Sequence, residues 1–170
     1  MRTSEQPKDV SKLLQAAGHG KLDLVRDLLT QGWPVNTTNH VGCTALMSAS
    51  ASYRADVVSF LLRSGADVAV RTTDGQTALH TAVGSSPSLP DKQQECVRIL
   101  LEHGAEIDAQ DKNGVTPLMN AAWFGCTLAV SELLRHGASV SLHDKQGRTA
   151  EDLARIKNQL EIIPILRTLP

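Results

Sequence analysis

Residues 111–140 read DKNGVTPLMNAAWFGCTLAVSELLRHGASV, and this one stretch decides the fold. Thr116 stands where a helix should begin, its hydroxyl able to accept from a free backbone N–H of the first turn. Pro117 follows at the first helical position, where no N–H is needed. Leu118, Ala121 and Ala122 then fall at helical spacing, and their small size lets neighbouring elements approach closely. After Gly125 a second segment carries Ala129-Val130 and Leu133-Leu134 on one stripe. It ends at Gly137, a residue that closes a helix in the left-handed conformation without a Cβ clash. The stretch therefore predicts two short helices joined by a tight turn.

The same pattern recurs along the chain. GCTALMSAS at Gly42, GQTALHTAV at Gly75, GVTPLMNAA at Gly114 and GRTAEDLA at Gly147 are separated by 33, 39 and 33 residues. QGWPVN at Gly32, SGADVA at Gly65, HGAEID at Gly104 and HGASVS at Gly137 repeat at the same intervals. A fixed period of this length marks a repeat architecture in which no unit can bury its apolar face alone. Residues 111–140 resemble an ankyrin repeat almost position for position, and the resemblance runs over residues 11–167. It implies an all-α solenoid of stacked helix-turn-helix units with β-turn fingers. The expected organisation is a polar N-terminal tail at 1–10 followed by one domain at 11–170. Its five repeats lie at approximately 11–38, 39–71, 72–110, 111–143 and 144–170. The first lacks the usual turn, and the last carries Glu151 in place of the pattern's leucine, so both read as caps, with Ile162, Ile163 and Leu166 facing inward.

Ankyrin repeats bind partner proteins through the turn tips and the concave face of the first helices. Carried onto matching positions, the resemblance implicates Asp74 and Gln76, Lys112 and Asn113, and Lys145 and Arg148 on the turns. It also implicates the repeat ends Arg71 and His143 and, on the helices, the pairs Gly18-His19, Ala51-Ser52 and Trp123-Phe124. The last pair joins two of the chain's five aromatic residues. Adjacent helical positions cannot share one buried stripe, so at least one ring should face the groove and act as an interface anchor. The competing reading packs Trp123 against the third repeat and its insertion. Arg71, Lys112, Lys145 and Arg148 hint at an acidic peptide, although charged turn tips are commonly just solvated.

Composition excludes other functions. A formal net charge of -1 gives no polyelectrolyte face for nucleic acid or an anionic membrane. No apolar run approaches a membrane span and no signal peptide is visible. Cys43, Cys96 and Cys126 are odd in number and far apart, which suits a reducing compartment, cytoplasmic or nuclear, better than a disulfide framework. The six histidines lack metal-ligand spacing. His80, in TALH, is expected to hold neighbouring turns together. No catalytic constellation and no cofactor motif is present. The expectation is a non-catalytic, monomeric adaptor, scaffold or inhibitor for an unidentified protein or peptide. The alternatives are an architectural or self-associating module, or a regulatory subunit such as a kinase inhibitor of the ankyrin class.

Three departures carry their own expectations. The 39-residue interval places six extra residues in an inserted loop at 84–94, expected as an extended hairpin because Ser85, Pro87 and Pro90 resist helix. Tyr53 occupies an inter-helix position held by Gly20 and Gly125 elsewhere, which calls for a reshaped turn. Asn36 resembles asparagines modified by an intracellular asparaginyl hydroxylase; as a turn residue, it would instead supply side-chain hydrogen bonds.

Overall fold

The computed structural model describes residues 10–85 and 88–168. All but the last residue of the expected tail at 1–10, and Ser86 and Pro87 of the insertion, lie outside the described residues. Among the described residues every regular element is an α-helix. They follow one another in pairs: α1 (Val10–Gly18) with α2 (Leu22–Thr30), α3 (Ala45–Ala51) with α4 (Ala55–Arg63), α5 (Ala78–Ala82) with α6 (Pro90–Glu102), α7 (Pro117–Phe124) with α8 (Thr127–Arg135), and α9 (Ala150–Ile156) with α10 (Ile162–Thr168). The first helices pack in sequence, α1 on α3, α3 on α5, α5 on α7 and α7 on α9, while the second helices form a parallel layer behind them. This is the all-α solenoid that the period predicts.

The threonines cap as their positions imply. Thr44, Thr77, Thr116 and Thr149 accept from the backbone N–H of Met47, His80, Met119 and Asp152 at 3.2, 3.5, 3.3 and 3.2 Å. Each such cap is worth about 1 kcal/mol. The core runs between the layers. Leu46, Leu79 and Leu118 from the first helices are at most 1% exposed, as are Leu28, Leu61, Leu100 and Leu133 from the second, so every pair shares its apolar face with its neighbours.

Successive turns are joined by main-chain bonds: Thr73 N–H donates to Val41 O, Lys112 N–H to Asp74 O and Lys145 N–H to Asn113 O, at 2.9, 2.8 and 2.8 Å. Glycine is required where these turns meet. A Cβ on Gly75 or Gly114 would lie 3.1 Å from the next turn's backbone nitrogen, and both residues have φ near +80°.

The structure corrects two expectations. Residues 90–94 are helix and not part of an extended hairpin loop. Pro90 opens α6, which runs 13 residues where α2, α4 and α8 run 9. Proline fits there for the reason it fits at position 117: the first turn needs no donor, and φ is already helical. Nor does Tyr53 reshape its turn. It takes φ +56° itself, beside +71° at Gly20 and +75° at Gly125. That left-handed conformation costs an L-residue about 1–2 kcal/mol. Burial offsets it: the ring is only 6% exposed, and the hydroxyl lies 2.8 Å from Ser85 Oγ.

At the C-terminal end Ile162, Ile163 and Leu166 are buried, as expected of a cap. Glu151 bridges α9 to α10 by accepting from Arg155 at 2.8 Å and Arg167 at 2.6 Å. Those two guanidinium hydrogen bonds hold its carboxyl down at about 2.

Candidate functional site

The turns and the first helices enclose a concave face. Its C-terminal half holds a cavity of about 590 Å³. Trp123 and Phe124, the last two residues of α7, both line it and are half-buried, with Gly125 closing the helix immediately after them. Val115 and Arg148 enter from the turns, Leu153 from α9, and Gly84 and Ser85 from the start of the insertion.

Trp123 shares the cavity lining with Gly84 and Ser85 of the insertion and is covered from the other side. Lys157, from the turn after α9, sets its Nζ 4.1 Å from the indole ring centroid, a cation–π contact across helix pairs. Asn158 beside it has φ +58°, so the chain bends at that point.

The insertion forms part of the cavity wall and is anchored from behind. Gln93 Nε2 donates to Ala82 O at 3.0 Å and lies within 3.3 Å of Tyr53 Oη and 3.4 Å of Cys126 Sγ. The Cys126 thiol donates to Ser85 O at 3.4 Å, and Gln94 Nε2 donates to Glu132 Oε2 at 3.0 Å. Side chains of the second and fourth helix pairs, with the Ala82 carbonyl of the third, therefore hold Ser85, Gln93 and Gln94 in place. Gln93 is fully buried, and its Oε1 has no partner among the described residues. An unsatisfied buried acceptor costs about 1–3 kcal/mol, which the three contacts of Nε2 must outweigh.

His80 lines the same cavity from α5. Its Nδ1 accepts from Thr77 N–H at 3.2 Å, so the proton sits on Nε2, 3.0 Å from Val115 O in the next turn. Burial pushes its pKa below the ordinary value, against the opposing effect of the Val115 bond. The imidazole is a neutral tie between turns, the role its place in TALH implies.

The residues singled out from sequence fall into three groups. Trp123, Phe124, Gln76 and Arg148 come together at the cavity. Lys112, Lys145 and His143 gather in a separate depression of about 420 Å³ between the fourth and fifth turns, with Asn113 exposed at the tip beside them. Arg71 is engaged internally, donating to Glu106 at 2.7 Å and to Gln110 O at 2.9 Å, and Asp74 is exposed at a tip. Sequence reasoning missed Lys157 and Leu153 as parts of the site. Leu153 looks like an ordinary core position, and the position of Lys157 depends on a bend that no local pattern announces.

A second cavity of about 590 Å³ continues the concave face over α1 and α3, bordered by His19, His40, Cys43 and Ser52; Ala51 and Thr81 border both cavities. Asn36 lies away from them. Its Nδ2 donates to Gly65 O at 3.3 Å, and its Oδ1 accepts from Asp67 N–H at 2.8 Å, so it bridges two turns. Burial pushes the Cys96 thiol up to about 12 and raises that of Cys126, keeping both protonated. No helix among the described residues is long and apolar enough to cross a membrane.

Comparison with known proteins gives a consistent picture. The family model for ankyrin repeats (3 copies) matches residues 13–111 and 92–168. The chain is 35% identical over 137 residues to the ankyrin repeat, SAM and basic leucine zipper domain-containing protein 1 of Colobus guereza, covering 76% of this chain and 28% of that protein. It is 33% identical over 146 residues to neurogenic locus notch homolog protein 1 of Xenopus laevis, covering 85% of this chain and 6% of that one. It is also 34% identical over 164 residues to an ankyrin repeat protein of fowlpox virus (strain NVSL), covering 92% of this chain and 46% of that one. The chain thus spans less than half the length of each.

Proposed function

Because the chain belongs to the ankyrin-repeat family, a family of protein-interaction modules, we propose that it is a non-catalytic adaptor, scaffold or inhibitor that receives a partner protein in its concave groove. The five repeats are taken as 11–38, 39–71, 72–110, 111–143 and 144–170, acting in the cytoplasm or nucleus. The observation that carries this reading is the aromatic pair. Trp123 and Phe124 are half-buried side by side in the wall of a 590 Å³ cavity, packed against the core but outside it, where residues such as Leu118 and Leu133 are fully buried. Aromatic residues set in a concave, partly apolar pocket are the usual anchors of an interface.

A pull-down compares the wild-type chain with a Trp123→Ala/Phe124→Ala variant whose helicity is confirmed by circular dichroism. A specific partner retained by the wild type and lost from the variant is the expected result, since truncating such an anchor costs about 2 kcal/mol or more. Equal capture by both chains refutes the groove as the binding surface.

One observation favours a self-associating module as the second reading. Ile156 and Leu160 are each 58% exposed near the last described helix pair, and a Cβ on Gly147 would meet nothing within 4 Å. A dimer mass in size-exclusion chromatography with light scattering, lost on Ile156→Ser/Leu160→Ser, would support it.

A further inference from the structure

The groove reading sets the place; the charge around it specifies the occupant. Among the described residues every ion pair is made by an arginine or a histidine, and no lysine takes part. Lys112 and Lys145 stand exposed at adjacent turn tips, and Lys157 is exposed with its ammonium on the Trp123 ring instead of on a carboxylate. Three of the acids nearby are already committed, and Asp74 stays exposed at the tip beside Lys112. Asp111 Oδ1 accepts from the Asn113 and Val115 amides, Asp144 holds the Gln146 and Arg148 amides and the Arg148 guanidinium, and Glu151 is clamped by Arg155 and Arg167. A chain with a net charge of -1 therefore carries local cationic character along one half of its concave face.

Arg148 sharpens the point. Its Nε and Nη2 both lie on Asp144 Oδ2, at 2.7 and 2.6 Å, which fixes the guanidinium plane at the edge of the aromatic cavity. Nη1 has no acceptor among the described residues. A guanidinium held on one side by a buried carboxylate and bordering an apolar cavity is a preorganised donor for a second carboxylate.

Resting on the groove reading above, we infer that the C-terminal half of the concave face takes an acidic segment of a partner protein. One apolar side chain of that segment enters the cavity between Val115, Trp123 and Phe124. A neighbouring carboxylate pairs with Arg148 Nη1, and further acids meet Lys112, Lys145 and Lys157. Nucleic acid fits this face less well. Single strands bind by stacking bases on open aromatic rings, and Lys157 covers a face of Trp123.

The test pans a random-peptide phage library against the purified full chain, then titrates the enriched peptides by calorimetry at low and high salt. The titrations use the wild type, Trp123→Ala and a Lys112→Gln/Lys145→Gln/Lys157→Gln variant, each checked by circular dichroism. The three lysines are exposed, so the triple variant should fold as the wild type does. The expected result is enrichment of Asp or Glu next to an aromatic or aliphatic residue, with affinity falling about tenfold in the lysine variant and at least as much in Trp123→Ala. Enriched peptides that need Trp123 but carry no acid, or bind the lysine variant equally, leave the groove reading standing and overturn the acidic occupant. Peptides indifferent to Trp123→Ala overturn the groove reading itself. Failure to enrich any peptide, or salt-sensitive capture of a single-stranded oligonucleotide in its place, also overturns the inference.

Discussion

The third and fourth helix pairs are neighbours, yet they are held in different ways. The fourth, α7 with α8, is close to the repeat pattern: helices of 8 and 9 residues meet through buried aliphatic side chains, and Met119 completes the cap at Thr116 with a sulfur atom. The third, α5 with α6, has helices of 5 and 13 residues, His80 where the fourth has Met119, and the polar contacts of Gln93 and Gln94 reaching to pairs two and four. Repetition makes apolar stacking sufficient. Where the chain departs from repetition, directional hydrogen bonds keep the register that matching shapes keep elsewhere.

That contrast can be broken at its strongest point first. Leu133→Ala, in the fourth pair, should cost about 2–5 kcal/mol in urea denaturation, because the fully buried side chain leaves a cavity. Gln93→Ala, in the third, should cost about 1–3 kcal/mol, because it removes the contacts with Ala82 O, Tyr53 and Cys126. If Gln93→Ala proves the more damaging of the two, polar anchoring is the main support of the stack and the contrast is reversed.

Two smaller effects sharpen the comparison through pH. Burial lowers the His80 pKa, so the unfolded chain takes up its proton at about 6.5 while the folded chain resists it. The stability this provides is present above about 6.5 and is lost as pH falls below it. A His80→Met variant, which copies the fourth pair, should show a flatter stability profile in that range. A profile unchanged by the substitution would mean that His80 does not set the acid sensitivity of the third pair. Glu151, held down at about 2 by Arg167 and Arg155, acts lower: its contribution is intact above about 4.5 and lost as pH falls towards 2. Glu151→Gln should remove only that acid limb, and by a small amount, because the ion pairs face solvent.

Most of the architecture is legible in the sequence because its determinants are local and repeated. Thr116 opens one helix, Gly137 closes the next, and the 33-residue spacing sets the same two signals down again along the chain. The insertion is misread when Pro90 is treated as a breaker, although Pro117 opens a helix in the same way; Asp91 behind it, an acid in a first turn, is the signal for a helix start. Tyr53 is legible as an anomaly but not as a solution, since the groups that offset its strained backbone, Ser85 and Gln93, lie 32 and 40 residues away. Trp123 and Phe124 can be found from their positions in the repeat. Lys157, which lies against one of them, cannot, because it is brought there only by the fold.

The main-chain bonds between successive turns have a consequence for how such a surface can change. They involve atoms that every residue but proline possesses, so the positions between the glycines can exchange other side chains freely while the spacing of the turns stays the same. The outer edge of the molecule is in this sense a type rack: the slots are cast in backbone, and the letters set in them can be replaced one at a time to spell a different partner.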